Sequence, residues 1–420
     1  MRAAPALIAS LLLVVPHPQA PRPAADFGAF VDKYLDAFAR RHPSIAAGNG
    51  IHDHDDQLED FSAKAIAAEV ADLKALRAQL RGFDVSRLTP DERVDQKILD
   101  GIIDGWLLEQ ETLRNWTRNP MLYASAIADG VHNQMVMEYA PAPVRMRRVI
   151  SKLKHVPRLL AAAKANVPNP PKLFAQRGVT MMRGASGMLA GDLRLAFADA
   201  GTPALRDSLA KAADAAKVAV DAYANWLEKD VLPRASGDFT IGAVALSRRY
   251  RAEELLDTPL DQMVRVGERE LKAGQAAFRA AAGKVDPTRD ATAVWHDAWK
   301  DHPAFGQVIP STQRIVDSLT AFVAGRGLAT VPTGERAIVA QQQPFDIGAA
   351  SMHASPPLEA VPVKSFYYVN EPKATGDAAQ DEALLQRSNR FSVTITSSHE
   401  AMPGHWLHSV YMRKTPGKVR

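Results

Sequence analysis

The 420-residue sequence contains no cysteine. Disulfides, thiolate nucleophiles and cysteine-based zinc or iron–sulfur sites are therefore excluded, and any metal must take histidine and carboxylate ligands. An exported protein built this way must draw its stability from its core, and a chain of this length can bury a large one. An excess of one charge is also lacking. Against 51 Lys+Arg stand 47 Asp+Glu, and no dense basic run is interleaved with aromatics, so no nucleic-acid groove is expected. Beyond the first residues no apolar stretch reaches the roughly 18 residues of a membrane span. The hydrophobic share of 46% and charged share of 23% match a folded, soluble protein.

The N-terminus is different. Arg2, an apolar run from Ala3 to Val15, and then Pro16-His17-Pro18-Gln19-Ala20 have the layout of a secretory signal peptide. The competing reading is an N-terminal core helix, which Pro16, Pro18, Pro21 and Pro23 would cut off from the fold. The expected organisation is a signal peptide and Pro-rich leader over 1–25 and a folded domain over 26–420. The expected location is the periplasm or the cell exterior.

Helical periodicity dominates the chain beyond the leader. Phe27, Phe30, Val31, Tyr34, Leu35 and Phe38 open a first helix, with Asp26 placed to cap it. The runs Ile66 to Leu80 and Val94 to Leu107 mark two more, and further amphipathic stretches lie near 144–165, 205–232, 259–281 and 311–324. After about residue 335 three short segments, 337–340, 365–370 and 392–396, are rich in β-branched and aromatic residues and read as strands. The stretch 344–362, with several prolines and little periodicity, reads as a long surface loop. The fold class expected is mainly α with a few short strands.

The chemistry concentrates in Ser397-Ser398-His399-Glu400-Ala401-Met402-Pro403-Gly404-His405. Two imidazoles can hold a zinc ion while the carboxylate beside the first accepts a proton from the attacking water. The spacing is unusual, because zincin histidines stand four apart and these stand six apart. On a regular helix six residues leave the side chains about 120° apart and about 9 Å displaced along the axis. Pro403 and Gly404 supply the means to break the helix and bring His405 round. The plainer reading of His399 is a polar residue flanking a helix. His408 is an alternative ligand or a surface histidine, and His52-Asp53-His54-Asp55-Asp56 is a cation-binding stretch or a solvated loop.

The segment resembles the H-E-x-x-P-G-H signature of the DUF885 family, bacterial secreted proteins and lipoproteins grouped with the zincin-type metallopeptidases. Phe366-Tyr367-Tyr368-Val369-Asn370 is similar to that family's F-Y-x-N segment, and Ile241-Gly242, the helix with Gly267-Glu268 and the opening helix follow its usual order. The resemblance runs from about residue 26 to Arg420. It implies a helical, two-lobed, zincin-like peptidase with its site in a cleft. His399 and His405 would then be ligands of one Zn2+ ion, Glu400 the catalytic base, and Asn370 and Tyr368 contacts to a peptide substrate along an edge strand, although Phe366, Tyr367 and Tyr368 also suit strand packing. The resemblance further implies a third ligand, a Glu in an E-G-W-A-like helix, expected beyond residue 420, so that the sequence reads as truncated. Where relatives often carry a tyrosine pair, this chain has Ser351-Met352-His353. Zinc-dependent peptide hydrolysis is the leading expectation. A non-catalytic exported binding protein on the same scaffold is its rival, and an esterase using Ser397 or Ser398 ranks third without a G-x-S-x-G elbow.

Overall fold

The structure, a computed structural model, describes residues 25–342 and 350–420. Apart from Ala25, the expected leader lies outside the described residues. The three opening helices, Ala25–Arg41, Ala63–Arg81 and Pro90–Leu108, bury most of the stripes that their periodicity marks, while Val94 and Ile102 stay exposed. Phe27, Phe30 and Tyr34 pack with Leu73, Leu80, Leu99 and Ile103 in one core. Caps fix where these helices start: Ser62 accepts the Ala65 N–H, while Thr89 and Glu92 form a reciprocal capping box.

A larger core comes next, gathered from helices Met121–Val136, Ala142–Leu153, Val156–Asn166, Lys172–Ala190 and Pro203–Trp226. The stretch read as one helix near 144–165 is two, because the turn around Lys154 interrupts it before Pro157 restarts it. Helix Leu260–Val285 forms as its periodicity predicts, yet Val264, Leu271, Phe278 and Val285 stay exposed and Ala282 alone is buried.

The last third carries a small sheet with strands β1 (Ala337–Gln341), β2 (Ala350–His353) and β3 (Ser365–Val369) in the order β1-β3-β2. β3 runs parallel to β1 and antiparallel to β2. Two expectations are corrected here. The segment 392–396 lies within helix Arg390–Glu400, because Asn389 caps that helix by accepting the Ser392 N–H at 2.9 Å and the helix packs on Val308–Gly325. Tertiary packing and a strong cap outweigh the β-propensity of Val393, Thr394, Ile395 and Thr396. The expected loop 344–362 contains β2, while its first part up to residue 349 lies outside the described residues.

The acidic stretch after His52 ties distant parts of the chain together. His52 bonds Asp55 at 2.9 Å and Glu359 at 2.8 Å, and its ring stacks on Tyr139 at 3.6 Å. Burial pulls the imidazole down, but the hydrogen bonds and charges of the two carboxylates outweigh it and raise the group to about 9. A folded-state value above the unfolded one makes His52 stabilising below about pH 6.5, and that stability is lost as pH rises through about 9. We expect chemical denaturation to show a loss of about 2–3 kcal/mol over this window, on the linkage scale of about 1.4 kcal/mol per pKa unit. The loss should be absent from His52→Gln, and an unchanged pH profile in that variant would remove His52 as its source.

Candidate functional site

Helix Arg390–Glu400 ends directly after the His399-Glu400 pair, and helix His405–Met412 begins at the second histidine. Between them the chain reverses on a buried anchor. Ala401 and Met402 are sealed into the core formed by Val316, Val339, Tyr367, Trp406 and Val410. The Met402 N–H reaches back to the Ser397 carbonyl at 3.1 Å instead of continuing the helical ladder, Pro403 has no N–H to offer, and the His408 N–H restarts the ladder on Gly404 at 3.1 Å. The Met402–Pro403 peptide is cis.

Glycine is required at 404 by close approach. A methyl group there would fall inside the His399 carbonyl and stand 2.7 Å from the Ser398 oxygen. The break therefore brings the six-residue spacing round, with the Nε2 atoms of His399 and His405 3.1 Å apart and their ring centroids 4.6 Å apart at 82°. Both histidines are exposed, so an ion and a substrate can reach them. Two nitrogens at about 2.0–2.1 Å from one tetrahedral zinc stand about 3.3 Å apart, so the pair fits a shared ion in separation. Among the described residues no group of three His, Asp or Glu side chains is placed to hold a metal. His408 stays exposed on the following helix, outside the pair.

Glu400 is half-buried over β3. Its neighbour there is Tyr367, whose phenol is pushed up first by burial and further by the Glu400 charge, against the pull of Ser397. The Tyr367 hydroxyl lies 3.4 Å from Ser397 Oγ, and both residues are fully buried beneath the motif. Ser397 is thus shut away from any substrate, and Ser398 donates to the Ile395 carbonyl at 2.7 Å.

Strand alternation separates the two expected substrate contacts. Tyr367 and Val369 face the motif, whereas Tyr368 lies on the other face of the sheet against His353 and Phe366, with ring centroids 5.1 and 5.7 Å away. Asn370 is exposed just past the end of β3. The expected use of this strand as an edge for an extended peptide is corrected, because β3 is the central strand and its ladder is already shared with β1 and β2. Residue type alone assigns Tyr367 to strand packing. The signal that could have singled it out is its period-two register with Val369, which places it under the buried end of the motif helix.

Residues 43–420 match the model of a family described as "Bacterial protein of unknown function (DUF885)". A solved structure, described as a "putative lipoprotein of unknown function" from Shewanella oneidensis, superposes with a TM-score of 0.72 at 22% identity, over 94% of this chain and 74% of that one. At that identity the likeness shows the shared fold. No curated protein matches the chain. With the family model covering nearly all of the folded part, motif included, the chain belongs to the DUF885 family.

Proposed function

We propose that this chain is an exported zinc-dependent peptide hydrolase acting in the periplasm or outside the cell. The observation that carries the reading is the pairing of His399 and His405 through Nε2 atoms 3.1 Å apart, with Glu400 directly after His399 in the chain. A regular helix would hold these histidines apart, so the buried anchor and the glycine at 404 have a purpose if both imidazoles share one ion. A zinc ion held there would supply a Lewis acid that polarises a scissile carbonyl and makes water more acidic. Glu400 takes the proton of the attacking water and returns it to the leaving amine. Tyr367 and Ser397 form the buried floor that keeps the end of the motif helix in place. Asn370 is the exposed candidate for substrate contact, and Tyr368 takes a packing role. Export is supported by the signal-peptide layout of the N-terminal sequence and by the description of the Shewanella oneidensis neighbour as a lipoprotein. Two imidazoles hold zinc weakly, so the proposal requires a third protein donor.

Metal analysis tests the reading. The protein produced with its natural export signal should carry about one zinc per chain, and His399→Ala and His405→Ala should each lose nearly all of it. Wild-type protein without zinc, and without zinc-dependent gain of peptide hydrolysis, would sink the proposal and leave a non-catalytic binding scaffold.

A further inference from the structure

A cavity of about 600 Å³ lies in the N-terminal helical part, walled by helices Pro43–Gly48, Pro90–Leu108 and Met121–Val136 and sharing no residue with the histidine pair. That volume is typical of small-molecule sites. Its aromatic lining is Phe61, Trp106 and Trp116, its carboxylates are Glu59, Glu109 and Asp129, and no Lys or Arg is among the described lining residues.

Two of these carboxylates are held by neutral donors rather than in a direct ion pair. Glu59, almost fully buried, is held by the Ser44 N–H at 2.9 Å and hydroxyl at 3.0 Å. Glu109 is held by the N–H and side-chain amide of Asn115, both at 2.9 Å. Among the described residues neither forms a direct ion pair; the buried Lys152 donates to the Gly130 carbonyl at 2.9 Å, and its charge reaches Glu59 only at a distance. Burial raises Glu109 above the ordinary carboxylate range despite the Asn115 bonds and the charge of Arg249. Next to Glu109 in the chain is Gln110, a lining residue only 5% exposed, whose side-chain nitrogen donates to Glu69 while its side-chain oxygen accepts no hydrogen bond among the described residues. A buried acceptor left without a donor carries the full cost of its desolvation until a donor reaches it.

The backbone that presents these groups is itself unusual. Glu109–Leu113 is a π-helical turn, and Arg114, a non-glycine residue, comes directly after it at φ 50. Such features cluster where side chains are held for a ligand. Arg114 covers one face of the Trp116 ring at 5.0 Å, and His42, another lining residue, stacks on Trp106 with centroids 4.2 Å apart.

We propose that this cavity is a binding site for a small organic cation, a primary amine on an apolar body, with its ammonium group on Glu59, Glu109 and Gln110. The ammonium supplies a donor to the Gln110 side-chain oxygen and a direct counter-charge to the carboxylates, and the apolar part of the lining receives the ligand's body.

The probe is benzylamine, with benzyl alcohol as its neutral counterpart, titrated calorimetrically into the full chain in the presence of a chelator so that the histidine pair plays no part. Benzylamine should bind saturably at one per chain and at least about tenfold more tightly than benzyl alcohol, on the scale of a desolvated carboxylate contact. Glu109→Gln and Glu59→Gln should each remove that preference. Equal binding of the two probes, no saturable benzylamine binding, or a preference kept in both variants would overturn the site. The wild-type comparison decides the matter even if a variant fails to fold.

Discussion

Glu400→Gln should lower peptide hydrolysis by about 10²- to 10⁴-fold, the usual share of a positioned general base, while zinc content stays that of the wild type. The substitution keeps size and shape and removes only the ability to accept a proton. Among the described residues no hydrogen bond or ion pair involves the Glu400 carboxylate, so the fold loses no partner when it is neutralised. The pattern to look for is a fall in kcat with metal retained, measured on a peptide library under zinc-replete conditions. His399→Ala differs by losing metal and activity together. Full activity in Glu400→Gln would remove the residue from the base role even if zinc binds.

Much of the helical architecture was legible because long amphipathic stripes depend on local period. The stripes Phe27 to Phe38, Ile66 to Leu80 and Val94 to Leu107 all became helices, and most of their apolar residues meet in one core, with Ile66 joining the larger core and Val94 and Ile102 left exposed. The segment 392–396 was not legible, since its β-branched residues suit a strand and the deciding groups are a cap three residues upstream and the packing partner at Val308–Gly325. β2 was hidden for a related reason: Ala350, Ser351, Met352 and His353 form a strand only because β3 offers an antiparallel edge. Leu260–Val285 shows the limit in the other direction, as its period predicts a helix but does not say what covers its apolar side.

The candidate site was legible in residue type and only half legible in geometry. His399 and His405 stand together, and the Pro403-Gly404 break does what their spacing requires. Which tyrosine sits beneath them depends on a strand register that spans β1, β3 and the motif helix, and one residue of alternation separates Tyr367 from Tyr368. The cavity near Glu109 left no motif at all, because its groups come from five separate segments between His42 and Asn133 and meet only through helix packing.

Gly404→Ala is expected to dismantle the histidine pair without touching either imidazole. The added methyl group has no free direction, since it falls inside the His399 carbonyl, which is main chain and cannot swing aside like a side chain. Relief must come from moving the 401–404 turn, yet Ala401 and Met402 are locked in the core on one side and Trp406 and Leu407 on the other. Overpacking of this kind costs about 1–3 kcal/mol, and the displacement falls on the two helix ends that carry His399 and His405. Zinc affinity should drop at least about tenfold, the scale on which disturbed ligand support is felt, with hydrolysis falling in step. Gly283→Ala provides the contrast. It lies exposed in helix Leu260–Val285 with nothing near its would-be methyl group, so the same substitution there should stabilise by about 0.5–1 kcal/mol. Opposite signs for one chemical change separate steric closeness at the motif from glycine flexibility in general. Wild-type zinc affinity in Gly404→Ala would mean that the tight turn is not what brings the histidines together.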